Sequence, residues 1–172
     1  MTSVIAGKYK GRKLFDVKNL HVRPTQAKVR KSIFQILEPD GLEVLDLYAG
    51  VGTLGIEAMS RGASRVVFVE KNRRVFKVLK KNIDLFEPEN SKLILMDVEK
   101  YLVQVKNQQF DIILADPPYS EVSFASVKDR AEHFLKPGGI FCMEMKKEAI
   151  DETNVRVKNY GSTQVVFWKS AA

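Results

Sequence analysis

From Gly41 onward, short apolar runs alternate with helical periodicity, and this alternation leaves few folds open. Val44-Leu45-Asp46-Leu47-Tyr48 is one such run, followed by a glycine-rich turn and a helical stretch from Leu54 to Arg61. Arg65 to Glu70 is a second, and a helix through Val75, Leu79, Ile83 and Phe86 follows it. Lys92 to Met96 and Phe110 to Ala115 are the third and fourth. A helix over Phe124 to Leu135 and the turn Pro137-Gly138-Gly139 lead to a fifth, Ile140 to Met145. Two more strands are expected at Val155 to Tyr160 and Thr163 to Trp168. Strands apolar on both faces, alternating with helices, form a parallel sheet covered on both sides. Ligands then bind beyond the carboxyl ends of the strands. Here those ends are Asp46 to Gly50, Glu70, Asp97, and Asp116 to Tyr119. Every one carries an acid.

The 172 residues suit a single domain, with residues 1–40 as an appendage and 41–172 as the core. Residues 3–15 alternate loosely around Gly7 and Gly11 and predict a short β-hairpin. Arg23-Pro24-Thr25 breaks the chain. Val29, Ile33, Phe34 and Leu37 then recur at helical spacing, and Pro39 and Gly41 close that helix.

The net charge is +7, and its placement matters more than its size. Residues 1–31 carry nine Lys/Arg against the single acid Asp16, whereas the remainder carries 19 basic and 20 acidic residues. A basic arm on a neutral body points to a polyanionic partner, nucleic acid before membrane. No run approaches the roughly 18 apolar residues of a membrane span, and the start lacks the apolar segment of a signal peptide. A soluble cytoplasmic protein is therefore expected. One cysteine, Cys142, and two distant histidines, His21 and His133, supply neither a disulfide nor a metal or triad constellation. No metal is expected.

Gly50-Val51-Gly52-Thr53-Leu54-Gly55 is a G-x-G-x-x-G between a strand and a helix, a turn that lets a nucleoside ligand approach the backbone. A dinucleotide would set its pyrophosphate at this turn, on the helix N-terminus. Asp46, at the strand tip, would repel it. The same carboxylate suits a ligand with a cationic amino-acid end and no phosphate, such as S-adenosylmethionine. Glu70 can accept both ribose hydroxyls, and Asp97 the adenine amino group. Asp116-Pro117-Pro118-Tyr119 is the most specific signal. Its prolines remove donors and stiffen the turn, leaving a carboxylate and carbonyls to accept the two hydrogens of an exocyclic base amine. That would aim the nitrogen lone pair at a methyl carbon, with Tyr119 as a stacking face.

DLYAGVGTLG (46–55) and DPPY (116–119) resemble the cofactor and catalytic motifs of class I amino-methyltransferases. VIAGKYKGRKL (4–14), RPTQAKVRKSIFQIL (23–37), LGIEAMSRGA (54–63), FDIILADPPY (110–119), LKPGGIF (135–141) and YGSTQVVFW (160–168) resemble the small bacterial enzymes that methylate a guanine N2 of 16S ribosomal RNA. The resemblance spans nearly the whole chain. It implies a Rossmann-like α/β fold with a seven-stranded, mostly parallel sheet, its last strand antiparallel, helices on both faces, and the N-terminal hairpin and helix. Catalysis would fall to Asp116, Pro117, Pro118 and Tyr119. S-adenosylmethionine would be held by Asp46, Tyr48, Gly50, Gly52, Glu70, Lys71, Asp97, Val98, Asp116 and Thr25. Ribosomal RNA, free or in an assembling small subunit, would meet Lys8, Lys10, Arg12, Lys13, Arg23 and Arg30, and the enzyme is expected to be a monomer. Lys31, Gln35 and Val51 depart from the family pattern of Glu, Asn and a small hydroxyl residue. The rival reading is an adenine-N6 methyltransferase acting on DNA or RNA, because the same turn serves either amine. A nucleic-acid-binding module without catalysis is disfavoured by the intact Asp116, Pro117 and Tyr119.

Overall fold

A computed structural model describes residues 2–18, 26–86, 89–118 and 122–172. Its elements run α1 (Ala27–Ile36), β1 (Glu43–Leu47), α2 (Thr53–Ser60), β2 (Arg65–Glu70), α3 (Arg73–Asp84), β3 (Ser91–Leu95) and α4 (Val98–Gln104). There follow β4 (Phe110–Ala115), α5 (Phe124–Ala131), a 3-10 turn (Glu132–Phe134), β5 (Leu135–Lys146), β6 (Val155–Tyr160) and β7 (Thr163–Lys169). The seven strands form one sheet in the order β3-β2-β1-β4-β5-β7-β6. The first five are parallel, and β7 runs antiparallel to both β5 and β6. The expected sheet is present.

The period of two along each strand divides the core into two layers. Val44, Val66, Phe68, Ile112 and Leu114 join α1, α2 and α3 on one face. Leu45, Leu47, Val67, Val69, Ile113 and Ala115 pack with α4 and α5 on the other. Asp46 and Glu70 share the parity of the first set, so both acids face the α2 side at the strand tips.

Two elements differ from expectation: β5 begins at Leu135 and takes in the expected turn Pro137-Gly138-Gly139, and a helix precedes β4. The helix α4 was not foreseen from the sequence; it is only seven residues long, too short to show a clear apolar period. Asp97 caps it, accepting hydrogen bonds from the Glu99 and Lys100 N–H groups. The expected N-terminal hairpin is present: Ser3 and Lys13 form an antiparallel bridge, and the Val4 and Leu14 N–H groups donate to the Arg12 and Thr2 carbonyls at 2.9 and 2.8 Å. The arm's remaining backbone donors dock it on the core. The Ile5 and Ala6 N–H groups donate to the two carboxylate oxygens of Glu57 at 2.8 and 3.0 Å. The Tyr9 N–H donates to Ser60 Oγ, and Phe15 exchanges hydrogen bonds with the Asn82 amide. Glu57, Ser60 and Asn82 are all buried. Buried polar groups must find partners, and here the partners are the arm. Gly7 is required at the crossing: φ is +81°, and a Cβ there would overlap the Ser60 carbonyl.

Arg30 requires a correction. It was expected to face RNA, but it is 2% exposed on the inward side of α1, with Val29, Ser32, Ile33 and Phe34. One guanidinium N–H group donates to the Ser3 carbonyl at 2.8 Å, while Nε and Nη1 lack a hydrogen-bond partner. Burial lowers its pKa, opposed by the nearby Glu57 carboxylate. A group so enclosed cannot neutralise a phosphate on the surface.

Candidate active site

The glycine turn is built by its own strand neighbours. Ala49 N–H donates to the Val69 carbonyl, and Gly50 N–H donates to Glu70 Oε2 at 2.9 Å. Gly50 and Gly52 have φ of +59° and +94°, the left-handed region that glycine enters without penalty. Tyr48, half-buried, also has a positive φ of 57°, so the turn is already tight before the first glycine. Gly55 serves contact instead of conformation: a Cβ there would overlap the Phe68 ring and the Asp46 carboxylate. Its N–H donates to Asp46 Oδ2 at 2.9 Å. The turn thus locks to β1 through Asp46 and to β2 through Glu70.

Both carboxylates are held from behind. Glu70 is 9% exposed, and its second oxygen accepts the Asn72 N–H at 2.7 Å. Asn72 then caps α3, accepting from Arg74 and Val75 N–H. Lys71 beside it is exposed. Asp46 is 1% exposed, and burial pushes its carboxyl up to about 8. The Gly55 N–H opposes this shift, while the charges of Asp116 and Glu70 add to it. Three acids from three adjacent strands therefore sense one another around one turn. Among the described residues no group of His, Cys, Asp and Glu is arranged to hold a metal ion.

Asp116 follows β4 directly and is half-buried; Pro117 is buried and Pro118 exposed. Tyr119, Thr25 and Arg23, each expected to serve the site, lie outside the described residues. Asp97 and the buried Val98 stand at the tip of β3 as expected, with Asp97 engaged as the α4 cap. Lys8, Lys10, Arg12 and Lys13 are exposed. Lys8 and Arg12 line a cleft near the starts of β2 and β3, away from the acid-bearing tips.

The buried polar set that docks the arm was missed by sequence reasoning. Asn82 is its centre, because its amide also donates to the Val51 carbonyl in the glycine turn at 2.9 Å. The one available signal was Glu57, a lone acid inside the apolar helix stretch Leu54 to Met59.

The strand order, the antiparallel β7 and the acid-tipped glycine turn together define the class I methyltransferase fold. The fold superposes with a TM-score of 0.89 on the structure of yhhF from Escherichia coli, 28% identical and covering 99% of this chain and 98% of that one. It also matches the T. thermophilus 16S rRNA N2 methyltransferase RsmC, solved with AdoMet and guanosine. That match has a TM-score of 0.69 at 22% identity, over 89% of this chain and 44% of that one. Residues 2–169 match the family described as conserved hypothetical protein 95, and the chain belongs to it. The chain is also similar to the Haemophilus influenzae protein named ribosomal RNA small subunit methyltransferase D. It is 34% identical over 152 residues, 84% of this chain and 79% of its own. No helix among the described residues is long and apolar enough to cross a membrane.

Proposed function

We propose that the protein transfers a methyl group from S-adenosylmethionine to the exocyclic N2 amine of a guanine in small-subunit ribosomal RNA. The observation that carries this reading is the placement of Asp46, Glu70 and Asp116 around the glycine turn at the tips of β1, β2 and β4. The similarity to a ribosomal RNA methyltransferase supports the substrate class. Asp46 would attract the cationic amino-acid end of the donor, and Glu70 the ribose hydroxyls. Asp97 and the buried Val98 would border the adenine. Tyr48, just before the turn, Lys71, just after β2, and Thr25 would complete the pocket.

Asp116 and the Pro117 carbonyl would accept the two hydrogens of the guanine amine, with Tyr119 against the ring. The nitrogen lone pair forms the new N–C bond as the C–S bond breaks. Its electrons return to sulfur, leaving the neutral thioether, and the extra proton leaves nitrogen through Asp116 to solvent. Aligned reactants and a carboxylate beside the developing positive charge supply the catalysis. Lys8, Lys10, Arg12 and Lys13 would meet RNA phosphates, and Arg23 would join them.

The base identity is tested by its product. Labelled donor is incubated with RNA or small subunits from a strain lacking the activity, and the RNA is digested to nucleosides. Label is expected in N2-methylguanosine; label in N6-methyladenosine would replace this reading with the adenine one.

Asp46 adds a pH signature. Its raised pKa means that the ligand-free site holds a proton at neutral pH, whereas a cationic donor end favours the ionised form. Between pH 6 and 7 donor affinity is therefore expected to rise about tenfold, with about one proton released per ligand. Calorimetry in buffers of different ionisation enthalpy reads both quantities. Affinity that is flat across this range would show that Asp46 does not meet the cation.

A further inference from the structure

The cleft beside Lys8 and Arg12, of about 870 Å³, lies where the basic arm crosses the ends of α2 and α3. Its walls include Lys8, Tyr9 and Arg12 of the arm, Phe86 after α3, and Glu89 and Asn90 before β3. The adjoining Ala63 precedes β2. These are the amino ends of β2 and β3, whose carboxyl ends carry Glu70 and Asp97. The cleft is therefore separated from the transfer site by the length of the strands, roughly 17–20 Å. Nothing in methyl transfer uses it.

The cleft is rigidly framed. Lys8 N–H donates to the Ser60 carbonyl at 2.7 Å, and Tyr9 N–H to Ser60 Oγ at 2.9 Å. The Tyr9 hydroxyl donates to the Phe86 carbonyl at 2.8 Å, and the two rings meet at 4.7 Å between centroids. Lys8 Nζ stands 5.3 Å from the Tyr9 centroid, and the Arg12 guanidinium lies 5.9 and 5.7 Å from the Tyr9 and Phe86 centroids. Arg12 gives one N–H to the Leu85 carbonyl, so the cation also faces the negative end of α3. That contact uses one of its five donors, and both cations remain exposed. On the far wall, Glu89 and Asn90 are exposed. A carboxylate and an amide there offer acceptors and donors to the edge of a base.

We propose that this cleft binds one nucleotide of a single-stranded RNA segment remote from the methylated base. Lys8 and Arg12 take its phosphates, and the Glu89–Asn90 wall takes its base. The inference rests on the functional reading above and extends it from one contact point to two. RNA is favoured over an acidic protein surface, because exposed cations beside aromatic rings in a concave site suit a nucleotide better than a flat interface does. Its volume lies in the range of ligand pockets.

Binding of a fluorescein-labelled single-stranded oligoribonucleotide, with the donor product bound, tests this on the full chain. Lys8→Ala/Arg12→Ala is expected to weaken binding at least about fivefold and to flatten the log–log salt slope by about 1.4, two single-strand phosphates. Ala63→Phe fills the cleft without changing charge and is expected to weaken binding with the salt slope unchanged. Thermal stabilisation by the donor product at the wild-type level verifies that both variants are folded. In the wild type, a 4-thiouridine in the oligonucleotide should crosslink to Tyr9. Wild-type affinity in both variants, with no crosslink at Tyr9, would overturn the proposal. Wild-type oligonucleotide binding with impaired methylation of whole subunits would also overturn it, assigning the cleft to a protein surface. If the wild type methylates no RNA at all, the functional reading fails instead, and the binding data still judge the cleft.

Discussion

Asp116→Ala is expected to lower single-turnover methyl transfer by about 10²–10³-fold, the scale on which one preorganised polar group acts on a developing charge. The carboxylate matters most as the amine nitrogen becomes positive, so the loss should fall on the chemical step and not on binding. Donor affinity should change little, because the Gly50 and Gly55 contacts to Glu70 and Asp46 remain. It should rise slightly if anything, since removing Asp116 removes one charge that opposes ionisation of Asp46. Asp116→Asn keeps an acceptor oxygen without the charge and should fall between alanine and wild type. Measurement at saturating donor and RNA isolates this step from product release. A wild-type rate in folded Asp116→Ala protein would make the turn structural.

The parts of this molecule legible in its sequence are those whose determinants lie close together along the chain. Val66 to Val69 is apolar on both faces, and both faces are covered. Asp46, Gly50 and Gly55 lie within ten residues, so their mutual geometry follows from one strand–turn–helix unit. The arm's hairpin was legible, but its docking was not, because its partners are distant. Ile5 meets Glu57 across 52 positions, and Tyr9 meets Phe86 across 77. A strand-like pattern of residues cannot reveal that its donors go to side chains of a helix. Arg30 was assigned to the surface for the same reason: a guanidinium on α1 is indistinguishable from its exposed neighbours Lys28 and Lys31 until the arm covers it. Helix α4 was hidden by its length, although its Asp97 cap was present to be read. The three acids were read as separate ligand contacts. The burial that raises the Asp46 pKa, and the smaller push from Asp116 and Glu70, emerged only when β1, β2 and β4 stood side by side.

Removing the nucleophile itself has the largest expected effect. Inosine is guanosine without its exocyclic N2 amine, and it keeps the ring, the N1 hydrogen and the O6 acceptor. A substrate carrying inosine at the methylated guanine therefore retains stacking and most edge contacts while losing the only atom proposed to attack. The phosphates facing the arm are unaltered, so RNA affinity should be close to that of the unmodified substrate. Asp116 and the Pro117 carbonyl would then have no amine to orient. Single-turnover transfer of labelled methyl to this substrate, beside the guanine-containing one, is the most direct measurement. The account predicts normal binding and no incorporation of label at the substituted position. Label incorporated there at the guanine rate would contradict it, because another atom would have to be the acceptor.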